Sequence, residues 1–105
     1  MNLANAVPVI GHTFEVNFGK YVFHTTFDSD RQLTFNLLQG DLGVHETVNY
    51  QRVEINPNAW LLFWQEKDRS TVTGFWDFAK QVVYSNVTLP DNTFLNLKSS
   101  LKRIA

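Results

Sequence analysis

Residues 58–78, NAWLLFWQEKDRSTVTGFWDF, set two runs of aromatic and branched side chains on either side of a short charged break. Such runs favour strands because these side chains pack well on a pleated surface, and the charged residues between them read as a hairpin turn. Strand periodicity places Trp60, Leu62, Trp64 and Glu66 on one face. An acid that ends a Trp–Leu–Trp stripe is either the solvated tip of a strand, beside Lys67, or a carboxylate at the mouth of an apolar cavity.

The same pattern extends in both directions. Turn residues recur at Gly11, Phe18-Gly19-Lys20, Asp28-Ser29-Asp30, Gly40-Asp41-Leu42-Gly43, Asn56-Pro57-Asn58, Lys67-Asp68-Arg69, Ala79-Lys80 and Leu89-Pro90-Asp91-Asn92. Between them lie segments rich in Phe, Val, Thr, Tyr and Trp, which predict strands over 13–18, 20–28, 32–38, 44–56, 59–67, 71–78, 81–89 and 93–103. No window of helical length keeps an apolar stripe at i, i+3, i+4, i+7. The linkers are short enough for hairpins and too short for crossovers. The expected fold is therefore all-β, an eight-stranded antiparallel up-and-down barrel whose closure removes the sheet edges. A two-sheet sandwich is the competing arrangement. Residues 1–10 read as an N-terminal extension and 11–105 as one barrel domain.

Alternation assigns faces. Tyr21, Phe23, Thr25 and Phe27 oppose Val22, His24 and Thr26; Leu33, Phe35 and Leu37 oppose Thr34, Asn36 and Leu38, with the heavier faces pointing inward. A two-residue turn at Pro57-Asn58 would set Ile55 opposite Trp60, Val53 opposite Leu62, Gln51 opposite Trp64 and Asn49 opposite Glu66. That face runs from apolar at the turn to polar away from it, as a cup with a dry end and a wet end requires. Tyr50, Arg52 and Glu54 would then form a ladder on the outside.

Composition excludes several classes. Apolar residues make up 44% of the 105-residue chain and aromatics 14%, against 18% charged, which suits one packed domain rather than disorder. The net charge of −1 contains no basic stripe beyond Lys98, Lys102 and Arg103, so no nucleic-acid partner is expected. Without cysteine there is no disulfide framework and no thiolate chemistry. No run approaches the ~20 apolar residues of a membrane helix, and residues 1–10 lack the charge and apolar length of a signal peptide. A cytoplasmic location with no membrane partner is the expectation.

The chain also resembles the MoaF-like family of small calycin-type, lipocalin-like barrels. Gly11-His12-Thr13-Phe14 through Phe18-Gly19-Lys20-Tyr21 looks like that family's opening glycine, first strand and glycine turn; residues 30–35 and 46–55 look like its third and fourth strands, and 59–75 like its aromatic Trp-x-Glu hairpin. The resemblance implies an eight-stranded barrel with a central pocket. The same hairpin is similar to that of phenolic acid decarboxylases, cofactor-free calycin barrels, whose catalytic glutamate would fall on Glu66 within Trp64-Gln65-Glu66. Their paired first-strand tyrosines have no counterpart in Phe14-Glu15-Val16-Asn17-Phe18, and only Arg52 stands loosely for their arginine. Without a carboxylate clamp the leaving group is not positioned, so cinnamate decarboxylation is not expected.

Glu66 is the candidate catalytic acid or base. Trp60, Trp64, Asn49, Gln51, Phe23 and Phe35 are the candidate ligand-binding residues. His12, His24 and His45 lack ligand spacing, so no metal and no cofactor is expected. The serines lack a Gly-x-Ser-x-Gly elbow. Three functions remain open: a barrel binding a small apolar or aromatic molecule, a cofactor-independent lyase-type enzyme using Glu66, and a filled barrel acting through protein contacts. Large residues on both faces of 59–78 predict an exposed apolar patch suited to a homodimer.

Overall fold

The structure, a computed structural model, describes residues 8–40 and 45–105. Nine strands follow one another: β1 (Thr13–Asn17), β2 (Val22–Phe27), β3 (Gln32–Gln39), β4 (His45–Asn49), β5 (Gln51–Asn56), β6 (Ala59–Gln65), β7 (Thr71–Asp77), β8 (Val82–Thr88) and β9 (Phe94–Arg103). They form one sheet in the order β4-β3-β2-β1-β9-β8-β7-β6-β5. Every pairing is antiparallel, and β1 against β9 joins the two ends of the chain. The protein is an all-β, nearly closed barrel, and no described residue is helical. No helix among the described residues is long and apolar enough to cross a membrane.

The expected strand over 44–56 is where the count changes from eight to nine. It divides at Tyr50: β4 pairs with β3, whereas β5 pairs with β6. The two halves bond to opposite sides of the seam, and β4 also lies against β6. Tyr50 causes the break by turning inward. Its N–H donates to the Arg31 carbonyl at 2.9 Å, its ring meets Phe27 edge-on at 5.7 Å, and its hydroxyl donates to the Ser29 carbonyl at 2.8 Å. Burial pushes the phenol up to about 12, against the pull of Arg52, so it stays a donor.

The register of the β5–β6 hairpin corrects the expectation by one residue. Asn56 pairs with Ala59, but Glu54 then pairs with Trp60, Val53 with Leu61, Arg52 with Leu62 and Gln51 with Phe63. The Asn56 side chain accepts the Asn58 N–H at 2.9 Å and shapes the turn, and Ile55 becomes the extra residue of a bulge. One extra residue reverses every face beyond it. Val53 and Ile55 consequently point outward, 49% and 55% exposed. Tyr50 is buried instead of lying outside, and the Arg52 guanidinium covers the Trp60 ring at 4.2 Å.

One half of the interior is filled by rings. Phe27, fully buried, is met edge-on by Phe14, Tyr50, Trp60, Trp76 and Phe78 at centroid separations of 5.3–6.1 Å, the geometry in which ring edges meet ring faces. Val9, inside the stretch read as an extension, is buried in this core. Gly40 ends β3 at φ +117° with the Tyr21 ring where a Cβ would stand, so only glycine fits.

Candidate functional site

The other half of the barrel is not filled. A cavity of about 70 Å³ is lined by residues of β1, β2, β3, β6, β7, β8 and β9, with further walls from Phe18, Leu89 and Glu66 beyond the strand ends. At 10–15 Å³ of such space per water, this is room for roughly five waters or one small ring. The entrance carries a chain of aromatic side chains. Phe18 meets Phe23 at 6.2 Å, Phe23 meets Phe35 at 6.0 Å, and Phe35 stacks on Trp64 at 6.4 Å with planes 30° apart.

Trp76 forms the boundary with the filled half, packing on Phe27 at 5.3 Å while also lining the cavity. Its indole lies along its own strand toward Gly74. A Cβ at Gly74 would stand 2.9 Å from Trp76 Nε1 and 3.2 Å from Ser85 Oγ, so the missing side chain is what lets the ring lie there. Trp76 is 3% exposed, and its buried Nε1–H has no hydrogen-bond partner. Leaving such a donor unpaired is costly; a ligand or water acceptor in the cavity would satisfy it. The hydroxyl residues Thr25 and Ser85 border the same space.

Glu66 sits in the β6–β7 turn. Its backbone N–H donates to the Ser70 carbonyl at 2.8 Å, and its carbonyl accepts the Arg69 N–H at 2.9 Å. Arg69 takes the left-handed φ of 77° that the tight turn needs. The side chain lines the cavity, and its Oε2 accepts the Trp64 Nε1–H at 3.1 Å. Burial raises the carboxyl to about 7; the Trp64 hydrogen bond opposes the rise, and the charges of Glu46 and Asp68 add to it. Glu46 is held nearby because its Oε2 accepts the Lys67 backbone N–H at 2.6 Å. A carboxyl titrating near neutrality can give or take a proton and can anchor a polar group.

Of the residues singled out in the sequence, Glu66, Trp64, Phe23 and Phe35 meet around the cavity. Trp60 lies in the filled half, 5% exposed. Asn49 and Gln51 do not join them. Asn49 faces outward and accepts a hydrogen bond from Gln32 Nε2 at 3.3 Å; Gln51 pairs with outward-facing Phe63 because of the bulge. Both border a separate surface groove with Asp30, Arg31, Tyr50 and Arg52. Sequence reasoning missed Trp76 and Ser85 as wall residues and Gly74 as the position that makes room for Trp76. The alternation Val72–Gly74–Trp76–Phe78 carried the signal, since a glycine between inward-facing large residues leaves room for one of them.

The histidines are apart. His24 Nε2 lies 3.2 Å from Glu15 Oε1 on the outer face, His45 hydrogen-bonds Asn36, and His12 Nδ1 contacts the Ala105 carbonyl oxygen at 3.1 Å. Among the described residues no group of three or more His, Cys, Asp or Glu could hold a metal ion.

A small antiparallel barrel, half packed with rings and half open, with one carboxyl at its mouth, is the class that fold and cavity define. The chain belongs to the MoaF-like family, whose model matches residues 10–102. It is also similar to a solved structure described as "a putative beta-lactamase from Burkholderia vietnamiensis", with 27% identity, a TM-score of 0.87, and coverage of 95% of this chain and 99% of that one. Among curated proteins none matches the sequence.

Proposed function

We propose that this protein is a binding barrel that holds one small, largely apolar or aromatic molecule in the open half of its interior. The observation that carries this reading is the divided interior. The Phe27 cluster closes one half, while the other keeps a cavity of about 70 Å³ between an unpartnered Trp76 N–H and the Glu66 carboxyl. Apolar walls with a few placed polar groups are the usual make-up of a ligand site. The supporting wall residues are Trp64, Phe23 and Phe35, with Glu66 as the polar anchor.

An acid–base enzyme on this scaffold would need a second convergent group, a Tyr, Arg or His within reach of Glu66. Among the described residues the cavity lining contains none; besides the Trp64 N–H bonded to Glu66, its polar groups are Thr25, Ser85 and the Trp76 N–H. The β-lactamase description of the similar structure finds little support in this chain's own residues. Ser99-Ser100-Leu101-Lys102 has the S-x-x-K spacing of a serine β-lactamase. On strand β9, however, that spacing sends Ser99 inward, 4% exposed, and Lys102 outward to solvent. Binding is therefore favoured over catalysis.

The test uses phenol and indole as neutral probes, with the Trp64 and Trp76 indole N–H resonances as reporters. Both resonances should shift on titration, and Val87→Trp, which fills the cavity, should abolish the shifts while the circular dichroism stays that of a β protein. No shift at millimolar probe would overturn the reading.

Self-association is a second reading, carried by a different observation. β5 ends the sheet order and, among the described residues, ladders only to β6. All six of its residues are exposed. Its outward Val53 continues across the sheet into Leu61, Phe75 and Tyr84, the last 48% exposed. An unpaired strand edge beside an apolar row suits antiparallel pairing with β5 of a second copy across a two-fold axis.

A further inference from the structure

The charge of the cavity wall narrows the class of ligand, on the reading that the cavity is a binding site. Among the described residues, Glu66 is the only ionisable side chain that lines the cavity. Among the described residues no lysine, arginine or histidine lines the space, and the charges that act on the Glu66 carboxyl include Glu46 and Asp68, both negative. Lys67 adjoins Glu66 in sequence, but it contributes its backbone N–H to Glu46, and the residue is exposed. Trp64 turns its indole N–H edge to this acid at 3.1 Å, and its ring stacks on Phe35 at 6.4 Å, with Phe23 next to Phe35 at 6.0 Å.

We propose that the cavity selects small protonated amines over neutral and anionic molecules of the same shape. The ammonium sits against the Glu66 carboxylate, and the apolar body enters among Val16, Val72, Val87 and Leu97. Two physical effects act in the same direction. A half-buried carboxylate lacks the water that would solvate its charge, and a cation at contact distance replaces it. A carboxylate ligand would instead meet the charges of Glu66, Glu46 and Asp68 with no cation in the wall to offset them. An uncharged molecule gains the apolar contacts and a hydrogen bond to Glu66 without the ion-pair attraction.

Benzylamine, benzyl alcohol and benzoate share one ring and differ in charge, so they are the probes. Titration of each into the full-length protein at pH 8, followed by calorimetry and by the Trp64 indole N–H resonance, should give benzylamine roughly tenfold tighter binding than benzyl alcohol. Benzoate should not bind. In Glu66→Gln the amine should lose its advantage and match the alcohol. Should Glu66→Gln not fold, the wild-type order of the three probes decides the matter alone. Equal binding of amine and alcohol, or tighter binding of benzoate, overturns the selection for amines while leaving the cavity as a ligand site. Failure of all three to move the Trp64 resonance overturns both.

Discussion

Trp64 Nε1 donates to Glu66 Oε2 at 3.1 Å, so two residues on one face of the β6 hairpin share a hydrogen bond at the mouth of the cavity. The indole favours the charged carboxylate, whereas burial and the neighbouring acids favour the neutral acid. Burial prevails, and the carboxyl titrates at about 7.

Replacing the donor should raise that value further. Trp64→Phe keeps an aromatic side chain but removes the pyrrole ring with its N–H, so the Glu66 carboxyl should titrate above 7 by side-chain carboxyl NMR. An unchanged or lower midpoint would show that the hydrogen bond does not stabilise the ionised form.

Stability should depend on pH through the same group. The Glu66 carboxyl is raised from 4.5 in a free side chain to about 7 in the folded protein, so between these values the native state binds more protons than the unfolded one. The associated stabilisation is complete below pH 4.5 and is lost as pH rises to about 7. After allowance for solvent screening of a half-buried group, the loss is about 2 kcal/mol. Glu66→Gln does not titrate, so the stability of wild type relative to this variant should fall from pH 4 to pH 8 in urea unfolding. A relative stability that rises over this window would contradict the assignment.

Gly74→Ala tests whether the missing side chain shapes the cavity. The added Cβ stands 2.9 Å from Trp76 Nε1 and 3.2 Å from Ser85 Oγ. The ring must shift, and overpacking of this kind costs about 1–3 kcal/mol. The urea midpoint should drop, and Trp76 fluorescence should change, separated from the other indoles in a Trp60→Phe, Trp64→Phe background. A variant as stable as wild type with unchanged emission would mean that the wall is softer than the contacts indicate.

Self-association through β5 predicts a dimer by sedimentation at micromolar concentration. Val53→Lys, on an outward position 49% exposed, should give a 12.1 kDa monomer without loss of β signal. A wild-type protein that sediments only as the monomer would remove this reading.

The extent of what the sequence alone determines follows from the range of the interactions involved. Alternation is a property of neighbouring residues, so strands β1 to β3 and β6 to β9, and the shared face of Trp60, Leu62, Trp64 and Glu66, were legible without any tertiary contact. The break at Tyr50 was not. It depends on the Phe27 ring and on the Ser29 and Arg31 carbonyls, which come close only when the barrel forms. The bulge at Ile55 was hidden for the same reason, because local turn chemistry allows either register and the inward place for Tyr50 selects one. Asn49 and Gln51 were thereby separated from Glu66. Which half of the barrel is full was also decided in three dimensions, by Phe27 gathering rings from five other positions and by Gly74 yielding space to Trp76. The titration of Glu66 belongs with these, since desolvation and the nearby Glu46 charge arise from packing of chain segments remote in sequence.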